Sequence, residues 1–175
     1  MKHVKGNPEA VVILEEFSDF QCPACKAFQP ILVQLLDEFP DEVALHYRHF
    51  PLPFHTAAEP AARAAEAAGQ QGQFFAFHDL LFENQEAWSR SPNPMLNFSQ
   101  YAEELGLDMA LFRQHMRSSV LRDQVRDDMR VGRERGVSGT PTFFLNGQRM
   151  SFSTYEEFYD QIMAALNPPV TFELQ

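Results

Sequence analysis

The chain's two cysteines stand two residues apart, in Ser18-Asp19-Phe20-Gln21-Cys22-Pro23-Ala24-Cys25-Lys26-Ala27-Phe28. They lie where a strand-like run gives way to a helix-like run, and this junction constrains fold and chemistry together. Upstream, Val11-Val12-Ile13-Leu14 is short, continuous and rich in β-branched residues, the pattern of a strand buried on both faces. Downstream, Phe28, Ile31, Leu32, Leu35, Leu36 and Phe39 recur at helical spacing and form one wide apolar face. Pro23 suits the first helical turn, where its missing N–H costs nothing. Cys22 is therefore expected where unpaired backbone N–H groups and the positive end of the helix dipole converge, a setting that favours thiolate over thiol. Cys25, one turn on, is within reach of a disulfide with it. A C-x-x-C so placed reads as a dithiol redox motif.

The 175 residues bound the answer to one domain, or one domain with a large insertion. Hydrophobic residues make up 45% and Phe alone contributes 17, which fits a packed core. The net charge of −10 argues against nucleic acid and anionic membranes as partners. Two cysteines cannot build a disulfide scaffold, and they are too few for a structural zinc site. His78 and His115 have no companion at ligand spacing, so no metal or other cofactor is expected. The chain has no apolar run near 18 residues and no transmembrane segment is expected. Residues Met1 to Pro8 lack the apolar stretch of a signal peptide. The expected compartment is cytoplasmic if the chain is complete as written, and periplasmic or otherwise extracytoplasmic if a leader or anchor has been removed.

In chain order, Pro40-Asp41 ends the first helix and Val43 to Phe50 reads as a second strand, giving a βαβ unit with a parallel pair and right-handed crossover. From Thr56 to Arg135 the pattern is helical. Thr56 with Glu59 reads as a capping box for an Ala-rich helix that stops at Gly69. Phe74, Phe77, His78 and Leu81 share a face of the next helix, and Asn97 to Leu105 forms a short one closed by Gly106. Asp108 caps another through Met116. Leu121, Val125, Met129 and Gly132 form the buried stripe of a long helix whose arginines alternate with Asp, the sign of a solvated face. Thr142 to Met150, turning at Asn146-Gly147, is a hairpin with a type I′ signal. Thr154 and Glu157 cap a last helix with Phe158, Ile162 and Leu166 inward, stopped by Pro168-Pro169. The order is β-α-β, a helical block, then β-β-α.

Three motifs now carry a resemblance. Glu16 to Cys25 (Glu-Phe-Ser-Asp-Phe-Gln-Cys-Pro-Ala-Cys), Arg48 to Leu52 (Arg-His-Phe-Pro-Leu) and Gly139 to Gly147 (Gly-Thr-Pro-Thr-Phe-Phe-Leu-Asn-Gly) together resemble the DsbA-like thiol–disulfide oxidoreductases of the thioredoxin superfamily. The likeness runs from about His3 to Leu166. It implies an α/β thioredoxin fold in two segments, residues 1–55 and 136–175, with an all-helical domain inserted at residues 56–135. It also implies a cis peptide before Pro141, with Thr140 presenting its backbone to a bound substrate chain, and an acid beneath the disulfide that relays the proton of the second cysteine. Position favours Glu16 over Glu15 for that acid, since alternation along a strand turns one of the two inward.

The expected activity is thiol–disulfide exchange with protein thiols and disulfides, with an unidentified partner recycling the dithiol and the protein a monomer. Cys22 is the exposed nucleophile and Cys25 the shielded resolver. Pro23, Phe20 and Phe54 are candidates for an apolar rim; Lys26 and His55 are read as a solvated lysine and a packing histidine. Ala24 stands where the strongest oxidant of the family carries histidine, so an oxidant of intermediate strength is expected. A Cys22 pKa of about 5 would favour the reduced form by about 2.7 kcal/mol at pH 7. That sets the potential roughly 60 mV above thioredoxin, around −210 mV. Two rival readings are a glutathione-dependent isomerase or transferase of the same architecture, which has no use for Cys25, and a redox-inert binding adaptor, which has no use for either cysteine.

Overall fold

The computed structural model describes residues 3–167. Its organising element is β2 (Val12–Ser18), which pairs parallel with β3 (Val43–His49) through the helix α1 (Pro23–Glu38) and antiparallel with β4 (Thr142–Leu145). Two edge strands complete a five-stranded mixed sheet in the order β1-β3-β2-β4-β5, with β1 at His3–Gly6 and β5 at Gln148–Arg149. Between β3 and β4 the chain makes six consecutive helices: α2 (Ala58–Gly69), α3 (Phe74–Glu83), α4 (Gln85–Ser89), α5 (Pro94–Glu104), α6 (Met109–Met116) and α7 (Ser119–Glu134). The closing helix is α8 (Tyr155–Leu166).

The sheet is covered on both sides. Val12, Leu14 and Phe143 pack with Leu32 and Leu35 of α1 and Phe158 of α8. On the other side Phe17 and Phe144 pack with Phe50 and Val137 beneath α7. Gly132 lets α7 come close: a Cβ there would stand 2.8 Å from the Phe50 ring. The helical block has its own core, in which the alanine face of α2 meets Phe77, Leu81, Trp88 and Phe112. Cys22, Cys25, Phe20 and Tyr47 belong to that core, so the dithiol lies in the seam between sheet and helices.

Much of the local reading holds. Phe28, Leu32 and Leu35 are buried along α1. Asp108 caps α6 by accepting from the Ala110 and Leu111 amides, and Thr154 caps α8 through the Glu157 amide. Asn146 and Gly147 both have positive φ, as a type I′ turn requires. The exposed pairs Asp123–Arg126 and Asp127–Arg130 line the outer face of α7.

Four expectations need correction. The first strand begins at Val12; Val11 is 71% exposed. The strand β1 was not anticipated, because His3-Val4-Lys5-Gly6 is short, carries a lysine and lies at the sheet edge, where such residues blunt pairing. The helix α4 was also missed. Thr56 is not a cap: α2 starts at Ala58 with Ala57 at the N-cap position, and the Ala57 amide donates to Gln21 Oε1 at 2.9 Å. A distant side chain thus replaces the local one. The expected stop at Pro168-Pro169 lies outside the described residues.

Candidate active site

Cys22 is the N-cap residue of α1 in extended conformation (φ −77°, ψ 121°), and Pro23 follows at the first helical position. Both cysteines are free thiols. Cys22 donates to the Thr140 carbonyl at 3.4 Å, and the Thr140–Pro141 peptide is cis. The Cys22 thiol is held down at a pKa of about 5. The largest cause is the hydrogen bond from the Cys25 thiol; burial opposes it, and the Thr140 hydroxyl and the Cys25 and Ala24 amides add to it. Cys25 is pushed well above its ordinary value, first by burial, then by its bond to Cys22 and by the Glu16 charge. One sulfur is thus ready as a thiolate and the other retains its proton. Cys22 is less exposed than expected, at 6% against 0% for Cys25. The order of accessibility stands, and the residues that follow Cys22, Pro23 and Ala24, are exposed.

Beneath the sulfurs lies Glu16, fully buried and opposite Tyr47 in the sheet register. Burial raises its carboxyl to about 8; the nearby Ser18 hydroxyl tempers this and the Cys22 charge adds to it. Among the described residues neither carboxylate oxygen has a hydrogen bond of normal geometry, and the same is true of the Ser18 and Tyr47 hydroxyls. The Tyr47 phenol is itself raised, by burial and then by the Glu16 and Cys25 charges. Glu16, Ser18 and Tyr47 thus form a buried polar cluster beside Cys25. A neutral Glu16 near pH 7 can give up a proton there.

Glu15 is buried as well, contrary to the expectation that one of the two acids turns outward. Alternation is obeyed; both faces of the sheet are covered at this point. Glu15 points to the α7 side, where it accepts from Arg48 Nε at 2.9 Å and from Arg135 Nη1. Arg48 also donates to Asp128 of α7 at 2.6 Å.

Several residues missed in the sequence hold the loop between β2 and α1. The buried Asp19 carboxylate accepts from the Gln21 and Leu52 amides at 2.7 and 2.8 Å and meets His55 Nδ1 at 2.7 Å, while its own amide approaches Cys25 Sγ at 3.5 Å. Gln85 of α4 donates to the Phe20 and Cys22 carbonyls at 2.7 and 2.9 Å. The Asx pattern Asp19-x-Gln21 was available as a signal; the Gln85 contact, across 63 residues, was not. Of the proposed rim, Phe54 is 71% exposed but Phe20 is 1% exposed and serves as core against Tyr47 and Phe82. Lys26 turns to the Glu83 carbonyl at 3.4 Å.

Comparison with known proteins fits this geometry. The thioredoxin family pattern matches residues 1–164. This chain belongs to the thioredoxin family. Among solved structures, this thioredoxin-family chain resembles a thioredoxin-like oxidoreductase from Silicibacter pomeroyi, with 30% identity, TM-score 0.78, and 94% and 92% of the two chains covered. It shares the fold of alpha-DsbA1 from Wolbachia pipientis at 18% identity, with TM-score 0.81 and coverage of 94% and 90%. That fold has a helical domain inserted into the thioredoxin core, as here. A curated relative named as the Na(+)/H(+) antiporter NhaA 3 of Salinispora tropica is 40% identical over 148 residues, covering 84% of this chain and 22% of that protein. The chain therefore spans about a fifth of the length of the curated relatives it matches. Among its described residues no helix is long and apolar enough to cross a membrane.

Proposed function

We propose that this chain exchanges disulfides with protein substrates through Cys22 and Cys25, as an oxidant of intermediate strength. The observation that carries the reading is the opposed pair of thiols: Cys22 held near pKa 5 at the start of α1 and facing Thr140, Cys25 buried beneath it and held as a thiol. In the oxidising direction, a substrate thiolate attacks Cys22 Sγ of the Cys22–Cys25 disulfide. Cys25 leaves as a thiolate and takes a proton from Glu16. A second substrate thiolate then attacks the substrate sulfur of the mixed disulfide and releases Cys22 as a stable thiolate. The substrate loses two electrons and forms its disulfide; the enzyme gains them as a dithiol, and a partner of higher potential must remove them. The Thr140 backbone and Pro23 would hold the substrate chain across the sulfur.

The Cys25–Cys22 hydrogen bond favours this reading over a glutathione enzyme or an inert adaptor, because neither gives Cys25 a task. Ion antiport is proposed only of the longer relatives that carry that name. Equilibration in glutathione buffers followed by mass spectrometry tests the direction, with an expected potential around −210 mV. A value below about −260 mV would make the protein a reductase and favour the cytoplasmic reading over the periplasmic one. Insulin reduction by dithiothreitol, with and without glutathione, tests the substrate class. Acceleration that depends strictly on glutathione would overturn the proposal.

A further inference from the structure

The seam between sheet and helical block holds a second constellation, apart from the dithiol. His3 of β1 and His49 of β3 both bring Nε2 to the same oxygen of Glu66 in α2, Oε1, at 2.7 and 3.0 Å. The three donor atoms lie within 4.8 Å of one another. His49 and Glu66 are 1% exposed, and the His3 side chain, at 15%, forms the outer wall. The second Glu66 oxygen is buried and, among the described residues, has no hydrogen-bond partner. Aromatic rings enclose the group: His3 stacks on Phe74 at 3.4 Å between centroids, and Phe20 and Tyr47 pack on His49. The His49 amide, donating to Asp128 Oδ2 at 3.2 Å, fixes the backbone behind it.

We propose that His3, His49 and Glu66 bind a divalent transition-metal ion of the zinc type. Two imidazoles and one carboxylate suit zinc, which takes nitrogen and oxygen ligands at about 2.0–2.2 Å. The hard ions calcium and magnesium prefer all-oxygen sets, which this site does not offer. Tetrahedral bonds of that length place donor atoms roughly 3.3 Å apart. The observed 2.7 and 3.0 Å therefore call for an opening of roughly half an ångström, which His3 at the sheet edge can give. A bound cation would neutralise a carboxylate otherwise buried among aromatic rings and could engage its unpartnered oxygen. Three protein ligands leave a fourth position open, on the His3 side. Because the ligands come from β1, β3 and α2, the ion would rivet the edge strand and the sheet to the helical block.

The test uses the full chain carrying Cys22→Ser and Cys25→Ser, so that no thiolate competes. Cobalt(II) titration should give one equivalent with the intense visible absorption of a tetrahedral site, displaced by zinc. Saturating zinc should raise the melting temperature by about 5 °C or more. His3→Ala and Glu66→Gln should each weaken zinc binding at least tenfold. His3→Ala tests the site at a peripheral position if the buried variant folds poorly, and Glu66→Gln separates the cluster from binding by His3 with the chain's first residues. Absence of stoichiometric uptake, six-coordinate cobalt spectra, or affinity unchanged in either folded variant would overturn the proposal.

Discussion

Glu15 and Glu16 are neighbours on one strand, both buried, and the chain treats them in opposite ways. Glu15 lies under α7 between Arg48 and Arg135, with Arg48 also bonded to Asp128. Its charge is answered on two sides, and it joins β2, β3 and the end of α7. Glu16 lies under Cys25 with no hydrogen-bond or ion-pair partner among the described residues and a carboxyl raised to about 8. A buried carboxylate given guanidinium partners stays charged and ties elements together; one denied them keeps its proton near neutral pH. Which of the two happens is decided by the face of the sheet the residue occupies.

Breaking the Glu15 side should have the largest effect. Arg48→Met leaves Asp128 and part of Glu15 as uncompensated buried charge and should cost about 3–5 kcal/mol. Urea melts would measure it, and the Cys22 alkylation midpoint should not move. A loss under about 1 kcal/mol would mean the arginine cluster is not the clamp it resembles.

The next effect has the opposite sign. Glu16 has a folded pKa raised from an ordinary 4.5 to about 8, so its stabilising contribution is full below pH 4.5 and is lost as pH rises through 8. Cys22, lowered from 9.0 to about 5, contributes stability that is present above pH 9 and lost as pH falls through 5. Between these limits the two oppose each other, and the reduced protein should show a shallow pH profile. Glu16→Gln removes one arm. At pH 7 it should stabilise the fold by on the order of 3 kcal/mol, at about 1.36 per unit from 4.5 to 7. It should also slow resolution of Cys22 mixed disulfides by Cys25 about tenfold or more near neutral pH while leaving attack by Cys22 on substrate disulfides nearly unchanged. An unaltered pH–stability profile in this variant would refute the raised carboxyl.

A smaller effect probes the fit of α7 over the Glu15 face. Gly132→Ala should cost about 1–3 kcal/mol, since its methyl would meet the Phe50 ring at 2.8 Å. The smallest probes the dithiol directly. Thr140→Val removes a hydroxyl that favours the Cys22 thiolate and should raise the alkylation midpoint by roughly half a unit to one unit. A midpoint at or above 7 in the unsubstituted protein would undo the contrast between the two cysteines.

What the sequence disclosed follows the range of the interactions. The amphipathic face of α1, the Asn146-Gly147 turn and the Asp108 and Thr154 caps are local, and each was legible. The Cys22 and Cys25 environments were legible too, because a helix N-terminus is set by the residues beside it. The inward burial of Glu16 was legible from position, but the burial of Glu15 was not, since alternation says where side chains point and not what covers them. Asp128 sat in a stripe read from its apolar members, and nothing local marked it as the partner of Arg48. The false cap at Thr56 has the same origin: Gln21, 36 residues from Ala57, accepts from the N-cap amide, the bond that a capping box assigns to its glutamate. The group of His3, His49 and Glu66 has no spacing signature, because its members meet only once β1 has paired with β3.

The hold of Gln85 on the Phe20 and Cys22 carbonyls bears on how this architecture can be rearranged. An inserted block that merely capped the sheet could be exchanged between relatives like a cassette. Here a graft that changed position 85 would leave the buried carbonyls of Phe20 and Cys22 without their donor, and the first turn of α1 would relax. Shuffling the helical block thus rewrites the redox loop unless an amide side chain travels with it, and libraries of chimaeras should divide sharply on that one position.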